Sequence, residues 1–229
     1  MKRSLVLLSS GLDSTVNLYA ARAESEVVLA LTFDYGQRAA SREIEHARDL
    51  AVTLGIPHKV LALPWFRDFT LTSLVNSEQA VPTDTHVGID NFEMSTASAK
   101  AVWVPNRNGI FLNIAAAFAE GLHAEWIIPG FNREEAATFP DNSAAFLEAT
   151  TRSLDYSTSN HVTVKCFTTE LDKIEIVKLG RKLNVPFHKV WACYFGGEAP
   201  CGSCESCQRF ARAMAFAQNS ENSTEGLTR

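Results

Sequence analysis

Ser4-Leu5-Val6-Leu7-Leu8-Ser9-Ser10-Gly11-Leu12-Asp13-Ser14-Thr15 decides how this chain is read. Ser4 to Leu8 is a short apolar run with the character of a buried strand. From about Leu12 to Arg22 the residues Val16, Leu18, Tyr19 and Ala20 set out a helix. A turn of small residues therefore falls where a strand passes into a helix N-terminus. Such a turn offers unpaired N–H groups and the positive end of a helix dipole, which together cradle phosphate. Leu8 to Thr15 are the nucleotide-binding candidates: Leu8, Ser9, Ser10, Gly11, Leu12, Asp13, Ser14 and Thr15, with four hydroxyls and one carboxylate among them. A plain helix cap by Ser10 or Asp13 is the simpler alternative. The stretch has no G-x-G-x-x-G and no Gly-Lys-Ser/Thr, so neither the dinucleotide fingerprint nor a Walker A loop is present.

Outward from that turn, short apolar runs alternate with helical patterns. Glu26 to Phe33 reads as a second strand, Ser41 to Leu54 as a helix stopped by Gly55 and Pro57, and His58 to Leu63 as a third strand. From about Pro64 to Lys100 no period is sustained, which marks a lid or binding loop. Gly109 to Leu122 is almost wholly apolar and reads as a buried helix. A fourth strand (Glu125 to Pro129), a helix (Asp141 to Tyr156), a fifth strand (Val162 to Phe167, containing Cys166 as a small buried residue) and a helix (Asp172 to Leu183) follow. Thr169 and Asp172 are spaced as a capping box for that last helix. The class is α/β: an open, mostly parallel five-stranded sheet with helices on both faces, plus a small C-terminal zinc-binding module. The expected division is an α/β domain over 1–190, the module over 191–218 with a short helix from Ser206 to about Ala217, and a disordered tail over 219–229.

The module rests on Cys193, Cys201, Cys204 and Cys207, four of the five cysteines in the chain. Four thiolates make a closed tetrahedral zinc site, and overlapping C-x2-C turns hold three of them on one loop. Disulfides are the alternative and require an oxidising compartment. Met1-Lys2-Arg3 has the charged start of a signal peptide, but Ser9 to Asp13 breaks the apolar stretch with an acid, so a cytoplasmic location is expected. No apolar run is long enough to span a bilayer. At 229 residues, 46% hydrophobic and with a net charge of −5, the composition is that of a soluble globular protein with no general pull toward nucleic acid.

The first turn resembles the S-G-G-x-D-S loop of the PP-loop ATP pyrophosphatases, with Ser10 in place of the first glycine. If that position takes positive φ, serine there costs about 1 kcal/mol. Three further segments resemble the 7-cyano-7-deazaguanine synthase family within that superfamily. They are Phe33-Asp34-Tyr35-Gly36-Gln37-Arg38, Val104-Pro105-Asn106-Arg107-Asn108, and the cysteine module from Ala192 to Cys207. The resemblance covers nearly the whole chain and implies an adenine-nucleotide α-hydrolase-like fold. It implies ATP bound also by Asp34, Gln37 and Arg38, magnesium with the ATP near Asp13, structural zinc, and catalytic roles for Asp13, Arg107 and Lys173. Substrate contacts are implied for Arg107, Asn108, Arg133, Phe139 and Asp141. The implied reaction consumes ATP, ammonia and 7-carboxy-7-deazaguanine in a homodimer.

Bland readings stand beside these: Arg107 as a surface charge, Lys173 as a solvated residue, Asp141 as a helix cap. The family's pocket pattern after the fourth strand departs here, since Asn142-Ser143 replaces a Cys-Arg pair, with Arg133, Glu134 and Glu135 nearby. A related ligase acting on another carboxylate or stopping at the amide is the nearest alternative. A tRNA-modifying PP-loop enzyme is disfavoured by the acidic balance. A non-enzymatic zinc-ribbon interaction protein leaves the Asp13 turn unexplained.

Overall fold

The computed structural model describes the backbone of residues 1–225 and the side chains through residue 218. Five strands, β1 (Lys2–Leu7), β2 (Ser25–Asp34), β3 (His58–Ala62), β4 (Trp126–Ile128) and β5 (Thr163–Val164), form one sheet in the order β3-β2-β1-β4-β5, every pair parallel. Strand order reverses beside β1. The chain steps from β1 outward to β3, then returns on the other flank through β4. The loops leaving β1 and β4 therefore diverge in opposite directions, which opens a crevice at the C-terminal strand ends.

Alternation along the strands sends side chains to two faces. Leu5, Leu29 and Leu31 pack on one face with Leu112, Ala115 and Ala116 of α4 (Arg107–Gly121) and Leu154 of α6 (Ala144–Ser157). Val6, Leu8 and Ala30 pack on the other with Leu18 of α1 (Leu12–Glu24) and Leu50 of α2 (Ala40–Leu54). Beyond α1, Val16 joins Ile176 and Val177 of α7 (Lys173–Lys182) and Ala213 and Ala217 of α8 (Glu205–Glu225) in a third cluster. Gly55 ends α2 in the left-handed conformation, φ 66°, as the stop signal required.

Several expectations are corrected. The segment 64–100 carries two short 3-10 turns and α3 (Phe92–Val102), capped by Asn91, whose side chain accepts from Met94 N. Its buried residues are Ser95, Ser98, Ala99 and Val102, helical in spacing but half of them serine, so no apolar period appears. Asp141 lies in a 3-10 turn, Pro140–Asn142, and Ser143 caps α6 instead. The capping box of α7 pairs Asp172 with Glu175, because Glu175 returns the bond that Thr169 cannot. β5 stops at Val164, leaving Cys166 half-buried with its sulfur 3.4 Å from Phe131 N. One face of α4 is buried, while Ile110, Phe111, Ile114 and Phe118 are partly covered. α8 continues to Glu225, past the start of the expected disordered tail; residues 226–229 lie outside the described residues. Among the described residues no helix is long and apolar enough to cross a membrane.

Candidate active site

The crevice holds a cavity of about 240 Å³. Its floor is the turn between β1 and α1. Ser10 there has φ 60°, the left-handed conformation, and its carbonyl accepts from Trp191 N at 2.9 Å. No side chain caps α1. Instead Ser9 Oγ and Ser14 Oγ bond one another at 3.1 Å, and Leu12, Asp13 and Ser14, whose N–H groups open the helix, line the cavity.

Asp13 is buried at this end. Its Oδ2 accepts from Lys173 Nζ at 2.6 Å and from Asn132 Nδ2 at 3.3 Å, while Oδ1 has no hydrogen-bond partner among the described residues. Lys173 Nζ also donates to Glu135 Oε1 at 2.7 Å. Burial and the neighbouring Glu135 push Asp13 up to about 6 against the pull of Lys173. Although burial works to lower it, the Lys173 ammonium is held above its usual range by Asp13 and Glu135. Glu135, against a burial that raises it, is held low by Lys173. Two carboxylates share one ammonium, so the cluster keeps a net negative charge.

Sequence order brings these groups together from three places. Asn132 caps α5 (Arg133–Ala136), which presents Glu134 and Glu135; Lys173 opens α7. Glu134 Oε1 accepts from Lys173 N at 2.9 Å, and Oε2 accepts from Arg209 Nη1 at 2.8 Å. Arg209 in turn grips Glu205 Oε1 through Nε and Nη2, and Ser98 Oγ donates to Glu205 Oε2 at 2.6 Å. A buried chain of charges thus links α3, α8 and the Asp13 cluster.

At the other end, Arg107 opens α4 beside Tyr35. Burial opposes its charge, but Tyr35 and Asp141 hold the guanidinium protonated. Asn108, Phe111 and Phe139 line the same wall, with Phe139 stacked on Trp103 at 5.9 Å and 11°.

Of the residues singled out in the sequence, Leu8, Ser9, Gly11, Leu12, Asp13, Ser14, Arg107, Asn108, Phe139 and Lys173 line the cavity. Others do not. Ser10 and Thr15 are buried behind the turn. Asp34 closes a local turn onto Gly36 N at 3.0 Å. Gln37 bonds Tyr35 N, Phe33 O and Glu43, and Arg38 clamps the carbonyls of Ser73 and Asn76. Arg133 is exposed and pairs with Asp172 and Glu175. Asn142 takes the wall position expected for Asp141, whose carboxyl is raised by burial and accepts from Asn142 Nδ2. Glu43, Tyr35 and Tyr194 are wall residues to which periodicity assigns no role: Tyr35 and Tyr194 stand inside the segments that carry the resemblance, and Glu43 is a polar position in the first turn of α2.

The four Sγ atoms of Cys193, Cys201, Cys204 and Cys207 lie within 4.8 Å of one another, with Cys201 and Cys207 at 4.0 Å. Tetrahedral zinc with Zn–S near 2.3 Å places its sulfurs about 3.8 Å apart, so the donor set fits. Backbone N–H groups of Phe195 and Cys201 donate to Cys193 Sγ, and that of Cys204 to Cys201 Sγ, each at 3.3 Å. A hydrogen bond from Cys207 draws Cys204 down to about 5 and pushes Cys207 up. Cys193 reaches the cavity wall together with Trp191 and Ala192.

The model of the family described as queuosine biosynthesis protein QueC matches residues 3–220. The chain belongs to the QueC family. A protein named 7-cyano-7-deazaguanine synthase from Bdellovibrio bacteriovorus is 62% identical over 217 residues, covering 94% of each chain. One of the same name from Desulforamulus reducens is 52% identical over 211 residues, 92% of each chain. A third, from Carboxydothermus hydrogenoformans, is 50% identical over 213 residues, 93% of this chain and 98% of its own. As a QueC-family member the chain is a biosynthetic enzyme, an ATP-dependent synthase.

Proposed function

We propose that this enzyme converts 7-carboxy-7-deazaguanine and ammonia to 7-cyano-7-deazaguanine at the expense of ATP, releasing AMP and pyrophosphate. The observation that carries the reading is Asp13 Oδ1, buried and unpartnered at the uncapped N-terminus of α1, in relatives' company that bears the synthase name. A carboxylate is a poor electrophile because its leaving group would be oxide. Transfer of AMP to it supplies a good leaving group; ammonia then gives the amide, and a second adenylation, on the amide oxygen, gives the nitrile on loss of AMP.

Each residue has a part in this scheme. The N–H groups of α1 receive negative charge as pyrophosphate departs, and their fixed orientation removes reorganisation cost. Lys173 is already neutralised by two carboxylates, so its part is to hold Asp13 Oδ2 and leave Oδ1 for the magnesium that accompanies the phosphates. Magnesium bound with ATP would neutralise phosphate charge, and Asp13 Oδ1 with Glu135 is the oxygen set to hold it. Arg107 orients the substrate carboxylate, to which its planar fork is matched. Phe139 offers a flat apolar face to the heterocycle, and the amides of Asn108 and Asn142 supply both donors and acceptors for its guanine-like edge. Zinc in a closed four-sulfur site leaves no open position for substrate and serves to fold the wall that carries Trp191 to Cys193.

Purified protein is to be incubated with ATP, magnesium, ammonium and 7-carboxy-7-deazaguanine, with AMP and products followed by mass spectrometry. AMP release and nitrile are expected. No AMP and no nitrile overturns the reading; accumulation of amide replaces it with a ligase that stops one step earlier.

A further inference from the structure

Glu43, in the first turn of α2, stands in the wall of the same cavity as Asp13, and the scheme above leaves it without a task. Its setting is built. Gln37 Nε2 donates to Glu43 Oε2 at 2.8 Å and to Phe33 O at 3.0 Å, while Gln37 Oε1 accepts from Tyr35 N at 3.0 Å. The Gln37 amide cannot flip, because its oxygen would then face a carbonyl and a carboxylate. Glu43 is thereby fixed through one oxygen. The other, Oε1, has no hydrogen-bond partner among the described residues.

Three carboxylates line the cavity: Asp13, Glu43 and Glu135. Lys173 occupies two of them, and Glu43 makes no salt bridge among the described residues. The groups facing it are Gln37, Asp34 and Tyr35 from the end of β2 and Arg107 from α4. Burial pushes its carboxyl up to about 7, Gln37 and Arg107 draw it down, and Asp34 raises it. A carboxylate held in this way binds a small cation and exchanges a proton with it near neutrality.

Ammonia in neutral water is ammonium, whose lone pair is occupied, and in the Asp13 cluster both carboxylates are already paired with Lys173. Resting on the reaction proposed above, we propose that Glu43 binds ammonium and takes the proton that frees it as the attacking ammonia. One N–H bond breaks and Glu43 becomes a carboxylic acid. The nitrogen lone pair forms the C–N bond to the adenylated carboxyl carbon, and the C–O bond to AMP breaks with its electron pair left on the phosphate. The second proton shed by nitrogen goes to that phosphate oxygen, and Glu43 returns its own to solvent before the next turnover.

The test compares the unmodified full chain with Glu43→Gln and Glu43→Asp. Carboxylate-dependent exchange of labelled pyrophosphate into ATP, without ammonium, reads adenylation alone. Hydroxamate formation with hydroxylamine, uncharged at neutral pH, reads acyl transfer without the need for a base. Glu43→Gln should keep both within about threefold while its kcat/KM for ammonium falls about 10²-fold, with partial recovery in Glu43→Asp. The unmodified enzyme's ammonium-dependent rate should rise with pH to about 7 and level off. That of Glu43→Gln should follow free ammonia and climb about tenfold per pH unit through neutrality. Undiminished kcat/KM for ammonium in Glu43→Gln overturns the assignment, and so does a parallel loss of exchange and hydroxamate. Absence of exchange in the unmodified enzyme overturns the adenylation reading, and this assignment with it, a result separate from any defect confined to the variants.

Discussion

Gly130 passes so close to Ser14 that a Cβ on it would stand 2.5 Å from Ser14 N and 2.7 Å from Ser14 Cα. The obstacle is the backbone of the turn between β1 and α1, which has no side chain to swing aside. The contact locks the end of β4 against the start of α1 and sets where the N–H groups of that helix point. Gly130→Ala should force the turn outward, costing about 1–3 kcal/mol of stability as overpacking does. Displacing the N–H groups by about 1 Å should lower kcat/KM for ATP by roughly 10²-fold. Urea unfolding and pyrophosphate exchange measure the two effects. Exchange at the unmodified rate would show that the turn tolerates the shift.

Lys173 is 7% exposed at the side chain and lies between two carboxylates. Lys173→Met leaves Asp13 and Glu135 facing each other with no counter-charge, so a loss of about 3–5 kcal/mol is expected, together with loss of adenylation. Pairing it with Asp13→Asn removes one of the stranded charges. The double variant should therefore recover part of the stability and none of the activity. Additive destabilisation in that cycle would mean that the two residues are not coupled.

Glu43 and Asp13 also mark the pH profile of the fold. Burial raises Glu43 from 4.5 to about 7 and Asp13 from 3.8 to about 6. A carboxyl raised on folding holds its proton better in the folded state. Its contribution is present below the unfolded value and is lost as pH rises through the folded one. Glu43→Gln has no such loss. Its thermal midpoint relative to the unmodified chain should therefore rise between pH 5 and pH 8, and a difference independent of pH would contradict the shift.

Much of this was legible in the sequence because the signals were local. The apolar run before Ser9, the period of α2 and the stop at Gly55 each follow from a few adjacent residues. The serine standing at the first glycine position does take φ 60°. Its cost is offset in part by the bonds that Ser10 makes to Ser9 and Trp191. What was not legible depends on distance along the chain. Asp34, Gln37 and Arg38 belong to a strong motif, yet Arg38 spends its donors on the carbonyls of Ser73 and Asn76. Motif membership does not separate a residue that holds a wall from one that forms it. Glu134 and Glu135 form one acidic pair in sequence, but their carboxylates pair with different cationic groups, Arg209 and Arg212 for Glu134 and the Lys173 ammonium for Glu135, supplied by helices far downstream. The spacing of Glu205 and Arg209 on α8 was the one local hint of that network.

Zinc removal tests the remaining link, from the cysteine module to the turn between β1 and α1. Cys193 to Cys207 are tied to the body at Trp191 N–Ser10 O and at the bridge between Thr83 and Cys204. Structural zinc contributes on the order of 10 kcal/mol or more to the fold of a small site, comparable with the whole stability of a domain. Cys204→Ser, or a strong chelator under reducing conditions, should therefore release about one zinc per chain and unfold the module. Hydrogen exchange should show the amides of Phe195, Cys201 and Cys204 losing protection first, since their acceptors are the sulfurs themselves. The Trp191 amide should follow, because its partner is the Ser10 carbonyl in the turn, and pyrophosphate exchange should fall as the turn loosens. Reduced protein that carries well under about one zinc per chain, with a thermal midpoint indifferent to chelator, would remove zinc from the account of the fold.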